Sequence, residues 1–305
     1  MIVTKQGFLA QAPQYTTTSE LLSAAARRRG MDVEVLGGAA PERRGAHYYG
    51  GPAFAARVAN DLEVALLEPT DDWLTTLPYA YTGRHIAMST LDEARRLSHP
   101  AFVKPPREKS FPAAVYPTGA DLPPGPDVPV LISDVVTWAA EFRLYIMDGE
   151  IRTGSQYTTY GHLHAEPLEG HRHEPAVREF AADLLSTRGD TLPSAVVLDI
   201  GLLTPDHGTQ WAVVEPNMAW FSNCYATDPA RALDTVLRSA GPRSALTERD
   251  RRFCRHLGDA HLAESDRQQS RWAEEDSRAC HDHGPRDAPV ADQIGHGPRR
   301  AGSQR

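Results

Sequence analysis

Cysteine is scarce in this chain. Cys224, Cys254 and Cys280 are its only three, and no CxxC pair occurs among them. An odd, scattered set makes a poor disulfide framework and points to a reducing compartment, the cytoplasm. Long apolar runs are also missing. No stretch approaches the roughly 20 residues that span a bilayer, and the opening MIVTKQGFLAQAP lacks the apolar segment of an export signal. Neither membrane insertion nor export is expected. Positive charge is in deficit, with 32 Lys and Arg against 40 Asp and Glu, a formal charge of −8 and a pI near 5.9. Duplex nucleic acid is therefore a poor candidate partner, because binding it needs a basic face that displaces phosphate counterions. An acidic chain can still take a nucleotide whose phosphates arrive with magnesium.

What is present is the composition of a globular protein: 41% hydrophobic and 24% charged residues over a length of 305, enough for a substantial core in one or two folded units. The 24 prolines and 23 glycines add loops. In the first hundred residues MDVEVLG (31–37) and LEVALLEP (62–69) read as strands and SELLSAAARRRG (19–30) as a helix closed by Gly30. HIAMSTLDEARRL (85–97) is a strand entering a helix, with Thr90 and Glu93 spaced as a capping box. This is a small α/β unit.

From Ala101 the strands lengthen. AFVKPP (101–106) and VPVLISDVV (128–136) are strands, and EFRLYIMDGEIRTGSQY (141–157) alternates apolar and polar residues around Asp148-Gly149, which favours the positive φ angles of a type I′ hairpin turn. EPAVREFAADLLSTRG (174–189) is an amphipathic helix. SAVVLDIGLLT (194–204) and TQWAVVEPN (209–217) form a second hairpin around PDHG, and Asp228 with Pro229 opens a last helix. The folded part is expected to end near Gly241. Residues 242–305 are charged and poor in aliphatics, and read as a largely disordered tail.

Three groups of residues carry chemistry. Asp199 interrupts the apolar run AVVLDIGLL, and Glu215 closes WAVVEPN, with Asn217 two residues on and so on the same strand face. A charge inside a buried strand is costly unless paired or bound to a cation, and this oxygen set suits magnesium. Solvated acids on an edge strand are the alternative. In FVKPPREKSF, Lys104 points from a strand toward an anion or is a surface lysine, and the loop holding Lys109 and Ser110 could fold over phosphates. Between Asp134 and Glu141 a short crossover leaves backbone groups free for an adenine edge, and Glu141 suits ribose hydroxyls; two exposed loop acids are the bland alternative.

Taken in order, a strand lysine, a hinge acid, a second acid seven residues on, a hairpin, a helix, an internal aspartate and Glu-x-Asn, the region from Ala101 to Tyr225 resembles the ATP-grasp superfamily. The resemblance implies an α+β fold: an N-terminal α/β domain (1–98), then an ATP-grasp domain (99–241) whose two subdomains clamp ATP between antiparallel sheets. It implies ATP and Mg²⁺ as cofactors. Lys104, Lys109 and Ser110 would hold phosphates, Asp134 and Val136 would line the adenine hinge, Glu141 would take the ribose, and Asp199, Glu215 and Asn217 would bind the metal. Many ATP-grasp ligases carry an arginine just before the metal aspartate, where this chain has Val197-Leu198. The cation for the oxyanion must then come from Arg143, Arg152 or Lys109. That departure and the short PPREKSF loop are similar to the small bacterial and phage ATP-grasp proteins grouped by an arginine-to-lysine exchange. The implied reaction joins a small-molecule carboxylate to an amine through an acyl phosphate, on an amino acid or peptide.

Other readings compete. GHLHAEPLEGHRHEP gathers His162, His164, His171 and His173, which could form the metal centre of an oxygenase or hydrolase, hang over an acceptor site, or simply make a polar loop. CHDH (280–283) lies in the tail, and HYYGG (47–51) could present a helix N-terminus to an anion or be only a turn. The missing arginine leaves room for a non-catalytic nucleotide-binding module, and phosphoryl transfer alone would make a small-molecule kinase.

Overall fold

The computed structural model describes residues 7–37, 45–106, 111–204 and 210–256. Strand β1 (Phe8–Gln11) leads to helix α1 (Thr17–Arg28), then β2 (Asp32–Val35), β3 (His47–Tyr49), helix α2 (Pro52–Val58) and β4 (Val64–Leu66). β1 lies between β2 and β3 and runs parallel to both. Parallel neighbours need a covering crossover, and α1 supplies the one from β1 to β2. Its start is a capping box in which Thr16 Oγ1 accepts from the Ser19 amide and Ser19 Oγ from the Thr16 amide, both at 3.0 Å. Gly30 follows its end at φ +76°, the left-handed stop expected from the sequence. In HYYGG, His47–Tyr49 is β3 and the Gly50-Gly51 stretch after it docks on the chain through Gly50 N–H to the Trp220 carbonyl at 3.0 Å.

A second unit follows: α3 (Tyr79–Thr82), β5 (Ile86–Thr90), α4 (Leu91–Ala94), β6 (Ala101–Lys104), β7 (Ala114–Tyr116) and β8 (Pro129–Ser133). Its sheet has the order β5-β8-β6-β7, antiparallel throughout. β5 was expected in the N-terminal domain, but it pairs along its whole length with β8, so the boundary lies before β5 rather than at residue 98. Only half of the expected capping box forms. Thr90 Oγ1 accepts from the Glu93 amide at 3.3 Å, while the Glu93 carboxylate takes the Ser89 hydroxyl at 2.6 Å. On β6, Ala101 and Val103 are buried with Leu91, Ala94 and Val130, leaving Phe102 and Lys104 for the opposite face.

The largest sheet has the order β11-β10-β9-β12-β13, formed by β9 (Trp138–Met147), β10 (Glu150–Thr159), β11 (His162–Pro167), β12 (Ala195–Leu203) and β13 (Trp211–Asn217). Asp148 (φ 53°) and Gly149 (φ 83°) make the β9-β10 turn with both angles positive, as expected. One face packs Phe142, Leu144, Leu198, Ile200 and Val213 against Val177, Ala181 and Leu184 of α5 (Glu174–Arg188). The other face packs Tyr145 and Val197 against Ala232, Leu233 and Val236 of α6 (Pro229–Ser239), which also meets Leu22 and Ala25 of α1. α6 starts where expected, with Asp228 Oδ1 accepting from the Ala230 amide at 2.8 Å. One core therefore joins the N-terminal unit to the large sheet.

The chain does not stop packing at Gly241. β14 (Ala240–Pro242) pairs with β4, Asp250 is buried beneath Ser194, Phe253 is buried, and Arg255 reaches Glu68 at 3.0 Å. Residues 242–256 of the expected tail are thus part of the fold, and 257–305, with CHDH, lie outside the described residues, as does the PDHG turn. Among the described residues no helix is long and apolar enough to cross a membrane.

Candidate active site

The internal acid of β12 and the terminal acid of β13 are direct cross-strand partners, Asp199 with Glu215 and Val197 with Asn217. On its other side β12 sets Asp199 opposite Arg143 of β9. The guanidinium grips the carboxylate as a fork, Nε to Oδ1 at 2.9 Å and Nη2 to Oδ2 at 2.7 Å. Bidentate pairing is what makes a fully buried carboxylate tolerable. Burial pushes the Asp199 carboxyl up to about 6 against the pull of Arg143. Tyr157 and Tyr225, stacked with centroids 5.1 Å apart, lie beside the guanidinium at 5.4 and 5.2 Å.

Asn217 ties the acids together. Its Nδ2 donates to Asp199 Oδ2 at 3.1 Å and to Glu215 Oε1 at 3.2 Å. The other oxygen of Glu215 accepts from Lys104 of β6, an ion pair that crosses from the large sheet to the small one. Burial alone would raise the Glu215 carboxyl, but Lys104, helped by the Asn217 hydrogen bond, holds it at about 2.

Between the two sheets lies a cavity of about 580 Å³. Ile86, Phe102, Leu131, Val136 and Trp138 give it an apolar lining, while Lys104, Glu141, Glu215 and Asn217 give it polar groups. An apolar slot with a few convergent polar groups is the usual make-up of a small-molecule site, and this division suits a base and its phosphates. Glu141 accepts from Tyr157 Oη at 2.9 Å and Thr158 Oγ1 at 2.7 Å. Asp134, in the link between β8 and β9, accepts from the backbone amide and ring Nδ1 of His85, both at 2.9 Å. Burial pushes its carboxyl up, and the His85 bonds outweigh that and hold it below the usual range.

Lys104, Asp134, Val136, Glu141, Glu215 and Asn217 thus meet at one cavity. Asp199 departs from what the sequence suggested. It has no exposed surface, both its oxygens are held by Arg143, and it stands one layer behind the cavity wall. Arg143 sits in that second layer with it. Arg152 is a correction: its Nη2 lies 3.4 Å from Asp234 of α6, and it does not line the cavity. Lys109 and Ser110 lie outside the described residues. The oxygens of Glu215 and Asn217, on the wall beside a lysine, fit a hard divalent cation arriving with a nucleotide, with Asp199 reinforcing them from behind.

His164 and His171 both face Glu166, at 3.2 and 3.4 Å, and His173 lies with its ring centroid 5.5 Å from that of His171 and 5.5 Å from that of Trp211, while His162 is exposed. Among the described residues no three His, Cys, Asp or Glu form a group that could hold a metal ion. Reading the sequence missed Arg84, Trp138 and Tyr157. None belongs to a spaced motif; Trp138 would have been visible only as an aromatic between two site acids.

Two mixed units close over a cleft that carries a lysine on one sheet and a Glu-x-Asn pair on the other, the layout of a nucleotide-clamping α+β fold. The chain belongs to the ATP-grasp domain family of the arginine-to-lysine clade, family 2, whose model matches residues 81–235. Solved structures similar to it include a RimK domain ATP-grasp protein from Sphaerobacter thermophilus, at 16% identity and TM-score 0.46 over 76% of this chain and all of that one. The ATP-grasp ligase PsnB in complex with precursor peptide PsnA2 and AMPPNP matches at 12% identity and TM-score 0.44, over 76% of this chain and 98% of that one. D-alanine–D-alanine ligase from Bacillus anthracis matches at 10% identity and TM-score 0.41, over 77% and 97%. No curated protein matches the sequence.

Proposed function

We propose that the protein is an ATP-dependent ligase that joins a carboxylate to an amine, on an amino acid or peptide in the cytoplasm. The observation that carries this reading is the pairing of Lys104 with Glu215 across the cavity: cation and anion lie on separate sheets, ready to part and receive the phosphates and the metal. Lys104 would then neutralise phosphate oxygens, Glu141 would orient the ribose, and Val136 with its neighbours would flank the base. Magnesium, held by Glu215 and Asn217 with Asp199 behind them, would draw charge from the phosphates. In the first step a carboxylate oxygen bonds to the γ-phosphorus as the bond to the β-γ bridging oxygen breaks and ADP leaves. In the second the amine nitrogen attacks the acyl carbon, phosphate departs and the amine loses a proton. Arg143 is the candidate to stabilise charge in that step: it stands on the neighbouring strand opposite Asp199, in the layer behind the cavity wall, while the position just before Asp199 carries no arginine. The protein's contribution is positioning and preorganised charge.

Calorimetry with MgATP tests the binding half: Lys104→Ala and Glu215→Ala are expected to weaken binding by about tenfold or more, a loss of the size seen for charge-assisted contacts. Binding unchanged in both variants would remove the reading. ADP release across pairs of amino acids, with mass spectrometry of the product, tests the ligation half; tight MgATP binding with no ADP from any acceptor would instead mark a nucleotide-binding module.

A further inference from the structure

Strands β12 and β13 are out of step by one residue. Asp199 pairs with Glu215 but Ile200 pairs with Val213, so Val214 is left over as a β-bulge. Its effect is large because side chains alternate along a strand. Without the extra residue Glu215 would share the face of Val213, which packs with Ile200 onto α5. The bulge transfers Glu215, and Asn217 after it, to the face of Asp199.

A bulge leaves backbone carbonyls without ladder partners, and buried ones need donors. Arg84, in the turn between α3 and β5, provides them: Nη1 donates to the Val213 carbonyl at 2.8 Å and Nη2 to the Val214 carbonyl at 2.9 Å, while Nη1 also meets the Thr82 carbonyl at 3.0 Å. The residue is 8% exposed, and its guanidinium lies 5.1 Å from the Trp138 ring centroid. Each of these hydrogen bonds goes to a carbonyl, an uncommon use of a buried charge.

We propose that Arg84 is a positioning residue that locks the bulge at Val214 and so turns Glu215 toward Lys104 and the cavity; what Glu215 does there rests on the function proposed above. Because Arg84 directly precedes β5, the same contact ties the small sheet to the edge of the large one.

Arg84→Lys keeps the charge but loses the fork that spans two carbonyls, and Arg84→Met keeps only the apolar stem. Two measurements decide the matter: hydrogen–deuterium exchange of the protein without ligand, and calorimetry of ATP at a series of Mg²⁺ concentrations and in EDTA. Both variants are expected to exchange faster over Val213–Asn217 alone and to need about tenfold or more Mg²⁺ for half-maximal ATP binding, the cost typical of removing a support behind a metal ligand. ATP affinity in EDTA should not change. A loss of ATP affinity in EDTA that Arg84→Lys restores would overturn the proposal in favour of a direct phosphate contact, and faster exchange throughout the protein would overturn it in favour of general packing. Should the wild-type protein bind no MgATP, the ligase reading fails and the exchange result alone decides: faster exchange confined to Val213–Asn217 supports the positioning role, and unchanged exchange removes it.

Discussion

Asp199 shows what a single residue costs and returns. A carboxylate with no exposed surface is stable here only because Arg143 meets both oxygens and Asn217 adds a third bond. Removing one member strands the other, so Arg143→Met is expected to cost about 3–5 kcal/mol in urea unfolding. Asp199→Asn with Arg143→Met should recover part of that loss, because no isolated charge remains. The motif Asp199, Glu215 and Asn217 was visible in the sequence, since a charge inside an apolar run stands out. Its partner was visible only as one of three candidate cations: nothing in the spacing of Arg143, Arg152 and Lys109 says which strand position falls opposite Asp199. Arg84 left no sequence signal, because a lone arginine in a turn has no period.

At the scale of elements, close approaches decide what each strand tolerates. β12 carries Gly201 where a Cβ would lie 2.4 Å from the Trp138 ring. Gly201→Ala is therefore expected to force the ring aside and destabilise the protein by about 1–3 kcal/mol, the cost of overpacking, readable as a fall in melting temperature. Where β3 meets α6, His47 Nδ1 lies 2.7 Å from the Leu237 carbonyl oxygen, and burial holds the imidazole below its ordinary value. A group whose folded pKa is depressed gives stability that is complete above the unfolded value, about 6.5 for histidine, and is lost as pH falls through the lower folded value. Melting temperatures from pH 8 to 5 should fall less steeply in His47→Gln than in the wild type, since glutamine can donate to the same carbonyl without titrating. The strands, helices and caps themselves were largely legible from local pattern. The Val214 bulge was not, because one extra residue in a strand becomes visible only against its partner. Pro216 is tolerated in β13 because that strand stands at the sheet edge, where a missing amide donor does no harm.

Over the whole molecule, chain ends and borders moved most from what the sequence suggested. The segment after Gly241 is polar, yet Asp250 accepts from the Ser194 amide at 2.8 Å and its hydroxyl at 2.7 Å, closing the chain back under the start of β12. Asp250→Ala leaves that buried amide without its acceptor and is expected to cost about 1–3 kcal/mol in unfolding free energy. The sequence by itself determined the class of the fold, the order of its elements and six of the residues on the cavity wall, Lys104, Asp134, Val136, Glu141, Glu215 and Asn217, because alternation, caps, turn dipeptides and charges in apolar runs are local. Only the tertiary structure decided that β5 joins the small sheet, that Asp199 lies behind the wall with Arg143, that Arg152 meets Asp234 of α6 instead of the cavity, and that Glu215 faces the cavity at all. Each of these depends on which strands become neighbours and in what register, a balance of contacts between segments far apart in the chain.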